Sequence, residues 1–297
     1  GKSIIEKLCR IPVEVDIASE FRYRNPIIDE KTLCIFVSQS GETADTLAAL
    51  RLSKSHGART LAISNVIGST ITREADYTIY THAGPEIAVA STKAYTSQVC
   101  LIAMLGIYFA ELLGSYSKDE LEKLKADILD LPSKIEAVLD NCEEIKTFAS
   151  KVYTQKDMFF LGRGTDYNVA LEGSLKLKEI SYIHSEAYAA GELKHGPIAL
   201  IENGVTVIGI ITNKELVEKT ISNMQEVITR GAKTLIITNQ ILPNNNFGYV
   251  INIPETNELI SPILSVIPLQ LLSYYISKNK GLDVDKPRNL AKSVTVE

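Results

Sequence analysis

Apolar and polar residues alternate along the chain in blocks that are typical of buried strands and of helices. Short apolar runs rich in β-branched residues predict strands that are buried on both faces. In the first half such runs predict strands near 13–17, 33–38, 59–64 and 77–81. In the second half they predict strands near 157–162, 186–189, 205–211, 233–238 and 249–253. With long helices expected at 91–113 and 262–279, the pattern indicates an α/β fold with mostly parallel sheets.

The chain contains an internal repeat, because the segment 57–65 (GARTLAISN) returns as 231–239 (GAKTLIITN). Gly1 precedes Glu14 by thirteen residues, as Gly173 precedes Glu186. The second copy has a predicted strand and turn before Gly173, and the first copy has no such strand before Gly1. We therefore expect the chain to begin part-way into its first domain, which would lack its N-terminal strand.

The repeat and the connecting segments predict the domain organisation. A first domain is expected over residues 1–116 and a second over 157–280. Ser117 and Glu120 have the spacing of a capping box, so the segment 117–156 is predicted to be a helical connector. The tail 281–297 shows no helical or strand periodicity over most of its length.

Composition limits the class of protein. The 297 residues suffice for two ordinary domains, and 45% hydrophobic with 23% charged residues is normal for a globular protein. A net charge of −5 gives no bulk attraction to nucleic acid or to an anionic membrane, so a site for an anionic ligand needs a local positive field. The four cysteines lack metal-ligand spacing, and the longest apolar run, 99–110, is too short to span a bilayer. We expect a cytoplasmic protein without metal or cofactor.

The segment 33–47 offers the first candidate site. A buried apolar run ends at Ser38, and a helical pattern begins after Thr43. The turn between them offers the Ser38, Ser40 and Thr43 hydroxyls, the Gln39 amide and a glycine, next to unpaired N–H groups at a helix start. Such a turn is typical of phosphate sites, and a well-capped strand–helix turn is the alternative. The P-loop lysine is missing, which disfavours a nucleoside triphosphate.

The second copy differs at the positions where chemistry is expected. We align the turn 38–41 (SQSG) with 212–215 (TNKE), which lacks the glycine and the serines. The second copy instead carries Glu172, Lys176 and Glu179, which fall on one stripe of a helix. A carboxylate beside a lysine in a partly dry site suits proton abstraction next to a carbonyl, and a solvated ion-pair face is the alternative.

Two further residues are candidates. His195 stands before a Gly-Pro pair that restricts the backbone, which suits a positioned acid or base, although an exposed loop histidine is the alternative. Lys292 lies in the tail, which by itself is typical of a frayed terminus.

Taken together, the blocks 38–43, 90–94, 172–179 and 192–197 and the tail resemble one family over essentially the whole chain. It is the isomerase (SIS) half of glutamine–fructose-6-phosphate aminotransferases. The resemblance implies two flavodoxin-like SIS domains, and an activity that turns fructose 6-phosphate and ammonia into glucosamine 6-phosphate. It also implies a homodimer, sugar phosphates such as glucose 6-phosphate as ligands, and a glutaminase domain in the full-length protein, with no nucleic acid and no membrane as partner.

The resemblance also implies roles for individual residues. Phosphate binding falls to Ser38, Gln39, Ser40 and Thr43, and sugar contacts fall to Val89 and Ser91. Glu179 would move the proton between C1 and C2 with Lys176 beside it, and His195 would assist ring opening, in the neighbouring subunit's site. Lys292 would form a Schiff base with the open-chain ketose. We therefore expect the tail to fold onto the first domain when sugar phosphate binds, with Lys292 pointing at the turn 38–43 and with Asn289, Leu290 and Val294 packed down.

Two readings compete with this one. A non-catalytic SIS module that senses sugar phosphate would need only the turn 38–43, and a plain phosphohexose isomerase would not need the Lys292 tail. This chain does not contain the glutaminase domain of the family, so by itself it is not expected to release ammonia from glutamine.

Overall fold

A computed structural model of the chain describes residues 1–243 and 246–293. The described residues divide into two compact units, one made of residues 1–115 and 289–293, and the other of Tyr116–Arg288. The segment 117–156 lies in the second unit, and residues 289–293 of the tail lie in the first. Each unit has its own parallel sheet.

The first unit carries three strands and five helices in its described residues. They are, in chain order, α1 (Lys2–Cys9), α2 (Ala18–Phe21), β1 (Leu33–Ser38), α3 (Ala44–Ser55), β2 (Arg59–Ser64), α4 (Thr70–Glu74), β3 (Tyr77–Tyr80) and α5 (Lys93–Leu113). The strands lie in the order β1-β2-β3, and both pairs are parallel. The predicted strands at 33–38, 59–64 and 77–81 are thus confirmed to within one residue.

In the first unit, the turn after β1 lies at the carboxyl ends of the sheet's strands. Ser38 is in register with Ser64, and Ser64 with Tyr80, so all three strands end at the same level. The inward-facing residues of β1 and β2 pack with α3 and α4 in a hydrophobic cluster: Phe36, Leu47, Ala49, Leu50, Ala62 and Ile71. This packing fixes the start of α3 directly after the carboxyl end of β1, where open α/β sheets bind their ligands.

The predicted strand at 13–17 is wrong. Val15 and Ile17 alternate with polar residues as in a half-buried strand, but they are 71% and 70% exposed and form no regular structure. Their repeat counterparts lie in the second unit's strand at 184–189, which pairs only with the strand at 157–162. The described first unit has no counterpart of that strand, so residues 13–17 have no neighbour with which to form a ladder.

The second unit is a complete doubly wound sheet. Its elements are α6 (Lys118–Asp140), α7 (Glu143–Val152), β4 (Asp157–Gly162), α8 (Thr165–Ser181), β5 (His184–Ala189), β6 (Thr206–Ile211), α9 (Val217–Ile228), β7 (Lys233–Thr238), β8 (Tyr249–Asn252) and α10 (Ser261–Asn279). Short 3₁₀ turns span Leu193–His195, Pro197–Leu200 and Lys214–Leu216. The all-parallel order β5-β4-β6-β7-β8 is the flavodoxin order. The five predicted strands of this unit are confirmed, with shifts of up to two residues at their ends.

Close packing of two helices holds the candidate catalytic helix in place. Gly173 of α8 lies against α10, where a Cβ atom would stand 2.5 Å from Leu269 Cδ1. Both helices bury most of their length, and Leu177 and Leu269 are fully buried. The side chains that α8 carries are therefore fixed by the core of the second unit.

Helix α5 is longer than the apolar run within it. Among the described helices it is the one that is long and apolar enough, by length and composition, to cross a membrane. Within the first unit it packs on α1, because a Cβ atom at Gly106 would lie 3.0 Å from Ile4 Cγ2 and 3.4 Å from Leu8 Cδ1. The small residue lets the two helices approach closely.

Candidate functional site

Two hydrogen bonds within the turn after β1 fix its conformation. The buried Ser38 accepts a hydrogen bond from the Gly41 N–H at its Oγ (2.9 Å), and Ser40 Oγ accepts one from the Glu42 N–H (3.2 Å). Gly41 has φ +70°, which other residues rarely adopt. Thr43 precedes α3, and its side chain makes no capping hydrogen bond there, so the positive end of the helix dipole faces the turn.

A second contact braces this turn against α4. A Cβ atom at Gly41 would stand 2.2 Å from Ser69 Oγ, so the glycine is needed for the close approach as well as for its φ. Glu42 Oε1 accepts a hydrogen bond of 2.7 Å from the Thr70 N–H. That hydrogen bond holds the pKa of Glu42 below its ordinary value. Glu42 therefore serves as a cap for α4 and leaves the turn to uncharged groups.

The loop that follows β3 is tied to the turn by Asn65. Asn65 Oδ1 accepts hydrogen bonds from Thr81 Oγ1 (2.9 Å) and the Ala83 N–H (3.0 Å), and its Nδ2 donates to the Gly84 carbonyl (2.8 Å). Its backbone N–H donates to the Gln39 carbonyl (3.3 Å). The same residue thus connects the predicted phosphate turn with the loop that leads to Val89 and Ser91, both of which are half-buried. Sequence reasoning did not single out Asn65.

The tail lies against the first unit's site. Lys292 Nζ donates to the Ala88 carbonyl at 2.5 Å, next to Val89, and Ser293 Oγ donates to Ser40 Oγ at 3.2 Å. Leu290 is 44% exposed and Asn289 is exposed too, and their packing on binding of sugar phosphate stays a prediction. Val294 lies outside the described residues.

The stripe on α8 is a largely buried ion cluster. Lys176 Nζ lies 3.5 Å from Glu172 Oε1 and 2.5 Å from Glu179 Oε2, and the three side chains are 7%, 11% and 21% exposed in the order Lys176, Glu172, Glu179. The alternative of a solvated ion-pair face is therefore wrong. Burial raises the pKa of Glu172 to about 7, with the Lys176 charge opposing that rise and the Glu179 charge adding to it.

His195 ends a 3₁₀ turn, Leu193–His195, and the turn is anchored by the buried Leu193. The imidazole is exposed, and in the described part of the chain it forms no hydrogen bond or ion pair. Gly196 has φ +150°, so the backbone after the histidine adopts a conformation that favours glycine. The structure thus gives His195 a defined backbone and leaves its side chain accessible, without joining it to the α8 cluster.

The structure corrects the alignment of the two turns. Leu33 is in register with Arg59, and Thr206 with Lys233, so β1 corresponds to β6 with Ser38 opposite Ile211. Gln39 and Ser40 then correspond to Thr212 and Asn213, one position away from the predicted alignment. The second copy has one more residue than the first between its helix (α3 or α9) and the next strand (β2 or β7), which explains the shift.

Sequence reasoning also missed Asp166. This residue is 2% exposed, and its carboxylate accepts hydrogen bonds from Thr212 and Asn213. The contact joins residues 46 positions apart, so no local pattern signals it. Among the described residues, no group of three or more His, Cys, Asp and Glu side chains is placed to hold a metal ion.

The chain is thus a two-unit α/β protein, with a parallel sheet in each unit, a hydroxyl-rich turn after β1 and a largely buried carboxylate–lysine cluster on α8. The sequence pattern that defines the SIS domain family matches residues 1–108 and 151–277. The chain therefore belongs to the SIS domain family.

The chain is most informatively compared with individual proteins that have a similar sequence or structure. The chain is 64% identical to the glutamine–fructose-6-phosphate aminotransferase (isomerizing) of Clostridium tetani and 62% identical to that of Clostridium perfringens, in each case over 100% of this chain and 49% of the relative. The chain thus spans about half the length of these curated relatives. Among solved structures, the C-terminal domain of glucosamine-fructose-6-phosphate aminotransferase from Francisella tularensis superimposes with a TM-score of 0.91 at 40% identity, over 96% of this chain and 82% of that one.

Proposed function

We propose that this chain is a sugar-phosphate isomerase domain that converts fructose 6-phosphate and ammonia into glucosamine 6-phosphate. The names of its relatives support the substrate class, and the fold agrees with theirs. The observation that carries a catalytic function, rather than a sensing one, is the buried cluster of Glu172, Lys176 and Glu179. A module that only senses sugar phosphate has no use for two carboxylates and an ammonium held out of water, because such burial costs stability.

Phosphate binding is assigned to Ser38, Gln39, Ser40 and Thr43. The turn offers hydroxyls, backbone N–H groups and the start of α3, all of which favour an anion. Hydrogen bonds to a charged group contribute about 1.5–3 kcal/mol each, so this uncharged turn suffices for a dianionic ester in a chain of net charge −5. Val89 and Ser91, on the loop that Asn65 supports, are assigned to the sugar.

Proton transfer is assigned to Glu179, with Lys176 beside it. Isomerisation moves a proton from C1 of the open-chain sugar to C2, or the reverse, and a carboxylate can both take up and return that proton. Lys176 holds the carboxylate in place at 2.5 Å and stabilises its charge. Burial raises the pKa of Glu172 to about 7, so this second carboxyl beside the lysine can take up or release a proton near neutral pH.

Ring opening and imine formation are assigned to His195 and Lys292. The His195 imidazole would move a proton between the ring oxygen and the anomeric hydroxyl, in the site of a partner subunit in a homodimer. Lys292 Nζ would attack the C2 carbonyl and release water, which leaves an imine that ammonia attacks more readily than a ketone. The contact between Lys292 Nζ and the Ala88 carbonyl supports this role, since it holds the amine beside Val89.

The remaining partners follow from the same assignment. In a full-length protein a glutaminase domain would supply ammonia, and the chain would act in the cytoplasm as part of amino-sugar synthesis. Its ligands would be fructose 6-phosphate, glucosamine 6-phosphate and glucose 6-phosphate.

Incubation with fructose 6-phosphate, with and without ammonium, tests the proposal. We expect glucosamine 6-phosphate with ammonium and glucose 6-phosphate without it. Glu179→Gln should lower both rates about 10²–10⁴-fold and abolish solvent-deuterium exchange at the substrate carbon. Glu144→Gln on the surface of α7 is the matched control and should leave both unchanged. Calorimetric binding of fructose 6-phosphate without any turnover would instead support the sensing module.

A second pair of variants tests the phosphate assignment. Ser40→Ala combined with Thr43→Ala should weaken fructose 6-phosphate binding by about 3 kcal/mol or more, at about 1.5–3 kcal/mol for each lost bond to the charged ester. Ser55→Ala, at the other end of α3, is the control. Equal calorimetric affinities for the wild type, the double variant and Ser55→Ala would contradict the assignment of phosphate binding to this turn.

A further inference from the structure

The turns after β1 and β6 occupy equivalent positions in the two units but have different surroundings. In the flavodoxin order, ligands bind outside the carboxyl ends of the strands, at the point where the strand order reverses. In the second unit that point lies between β4 and β6, which are paired in the sheet centre. The turn after β6, at Thr212 and Asn213, corresponds to Gln39 and Ser40 after β1.

In the second unit a side chain fills this position. Asp166 Oδ2 accepts hydrogen bonds from the Thr212 N–H at 2.8 Å and the Asn213 N–H at 3.3 Å, and Asp166 Oδ1 accepts one from Thr212 Oγ1 at 2.5 Å. All three contacts come from the turn after β6. Two successive backbone N–H groups and a hydroxyl that converge on one carboxylate make the arrangement typical of an anion site.

The surrounding chain delivers the carboxylate to this point. Gly162 ends β4, and a Cβ atom there would stand 2.4 Å from the Asp166 carbonyl oxygen, so the turn into α8 is tight. Asp166 then falls in the first turn of α8, where a negative charge is favoured by the helix dipole. Burial raises the pKa of Asp166, and the hydrogen bonds from Thr212 and Asn213 oppose that rise.

We propose that the turn after β6 is an anion site that the chain occupies permanently with its own Asp166 carboxylate. The second unit is thereby closed to phosphate, and the carboxylate fastens the start of α8 to the end of β6. This inference rests on contacts within the second unit, so it does not depend on the phosphate assignment in the first.

Removal of the carboxylate should therefore expose a site for a small anion. In Asp166→Ala the side chain ends at Cβ, and formate has the size of the missing group. We expect formate to slow hydrogen exchange of the Thr212 and Asn213 amides in this variant and to raise its melting temperature with a saturable dependence. At a formate concentration ten times its Kd, mass action lowers the unfolding equilibrium constant about 11-fold.

Two proteins serve as controls at equal ionic strength in chloride. The wild type keeps its own carboxylate, and Asp166→Asn fills the space with an amide that presents a donor to the turn. Neither should respond to formate beyond the general effect of salt. Inorganic phosphate is the second probe, and a response of Asp166→Ala to it would extend the site to tetrahedral anions.

The result that would overturn the proposal is an Asp166→Ala protein whose exchange and melting temperature respond to formate no more than those of the two controls. If Asp166→Ala does not fold in chloride, its refolding yield in formate is compared with that in chloride. A higher yield in formate supports the anion site, and equal yields overturn it.

Discussion

The pKa of Glu172 makes the stability of the second unit depend on pH in a specific direction. Burial raises this pKa from 4.5 to about 7, so between these values the folded state binds a proton that the unfolded state has released. The free energy of unfolding therefore falls as the pH rises from about 4.5 to about 7. At about 1.4 kcal/mol for each pH unit in that window, the loss is about 3 kcal/mol.

Glu172→Gln should abolish this loss. The amide keeps the volume of the side chain but cannot release a proton, and Lys176 keeps its ion pair with Glu179. Denaturant unfolding of wild type and variant, followed by circular dichroism at several pH values, gives the difference between their free energies. We expect that difference to shift in favour of the variant by about 3 kcal/mol between pH 4.5 and pH 7.

The difference between the two proteins is the quantity to compare, because histidines and other carboxylates titrate in the same range. Glu144→Gln, on the surface of α7, controls for the loss of an ordinary exposed carboxylate. Parallel pH profiles for wild type and Glu172→Gln would refute the reasoning. In that case Glu172 would be ionised throughout the window, and the Lys176 charge would outweigh the effect of burial.

Three further experiments test the first unit. Gly41→Ala should destabilise the first unit by more than Gly114→Ala. Both glycines have positive φ, which costs about 1–2 kcal/mol for alanine, but only at Gly41 does the new Cβ also meet Ser69 Oγ, at 2.2 Å. Equal unfolding midpoints for the two variants would show that the contact with Ser69 relaxes without cost. Asn65→Ala should raise the KM for fructose 6-phosphate and lower the free energy of unfolding by about 1.5–4.5 kcal/mol, at about 0.5–1.5 kcal/mol for each of its three side-chain hydrogen bonds. Asn65→Asp keeps the acceptor and should lose less stability. An unchanged KM in Asn65→Ala would limit the role of Asn65 to stability. Borohydride reduction with fructose 6-phosphate, followed by peptide mass mapping, should place a hexitol phosphate on Lys292, and an adduct elsewhere, or none during continued turnover, would contradict the imine.

The local sequence pattern was sufficient to predict the elements whose signal does not depend on which neighbour packs against them. The strands at 59–64 and 233–238 were predictable because parallel strands buried on both faces are continuous apolar runs, whatever lies beside them. The apolar run at 33–38 also predicted a strand, although Leu33 and Val37 of β1 are each 41% exposed. The stripe of Glu172, Lys176 and Glu179 followed from helical spacing alone. Its burial did not, because the helix α10 that covers α8 lies about a hundred residues further along the chain.

The failures have the opposite origin. Residues 13–17 have the alternation of a strand, but a strand exists only with a partner, and pairing is not a local property. The turn of the second unit was aligned one residue too late because a single extra residue before β7 is invisible until the ladder registers are known. Asp166 was missed since its partners, Thr212 and Asn213, are brought to it only when β4 and β6 pair.

If the proposed function holds, the distribution of charged and uncharged groups accounts for the binding of an anionic sugar by a chain of negative net charge. The turn from Ser38 to Thr43 offers hydroxyls and backbone N–H groups without a lysine or arginine, and Glu42 is withdrawn to cap α4. Dipoles of this kind attract phosphate over a short range and add nothing to the net charge of −5. In the second unit, by contrast, two carboxylates of α8 share one largely buried ammonium, and burial raises the pKa of Glu172 to about 7. Under the proposed function, holding the phosphate ester calls for fixed dipoles, and moving the proton calls for a titratable, buried group.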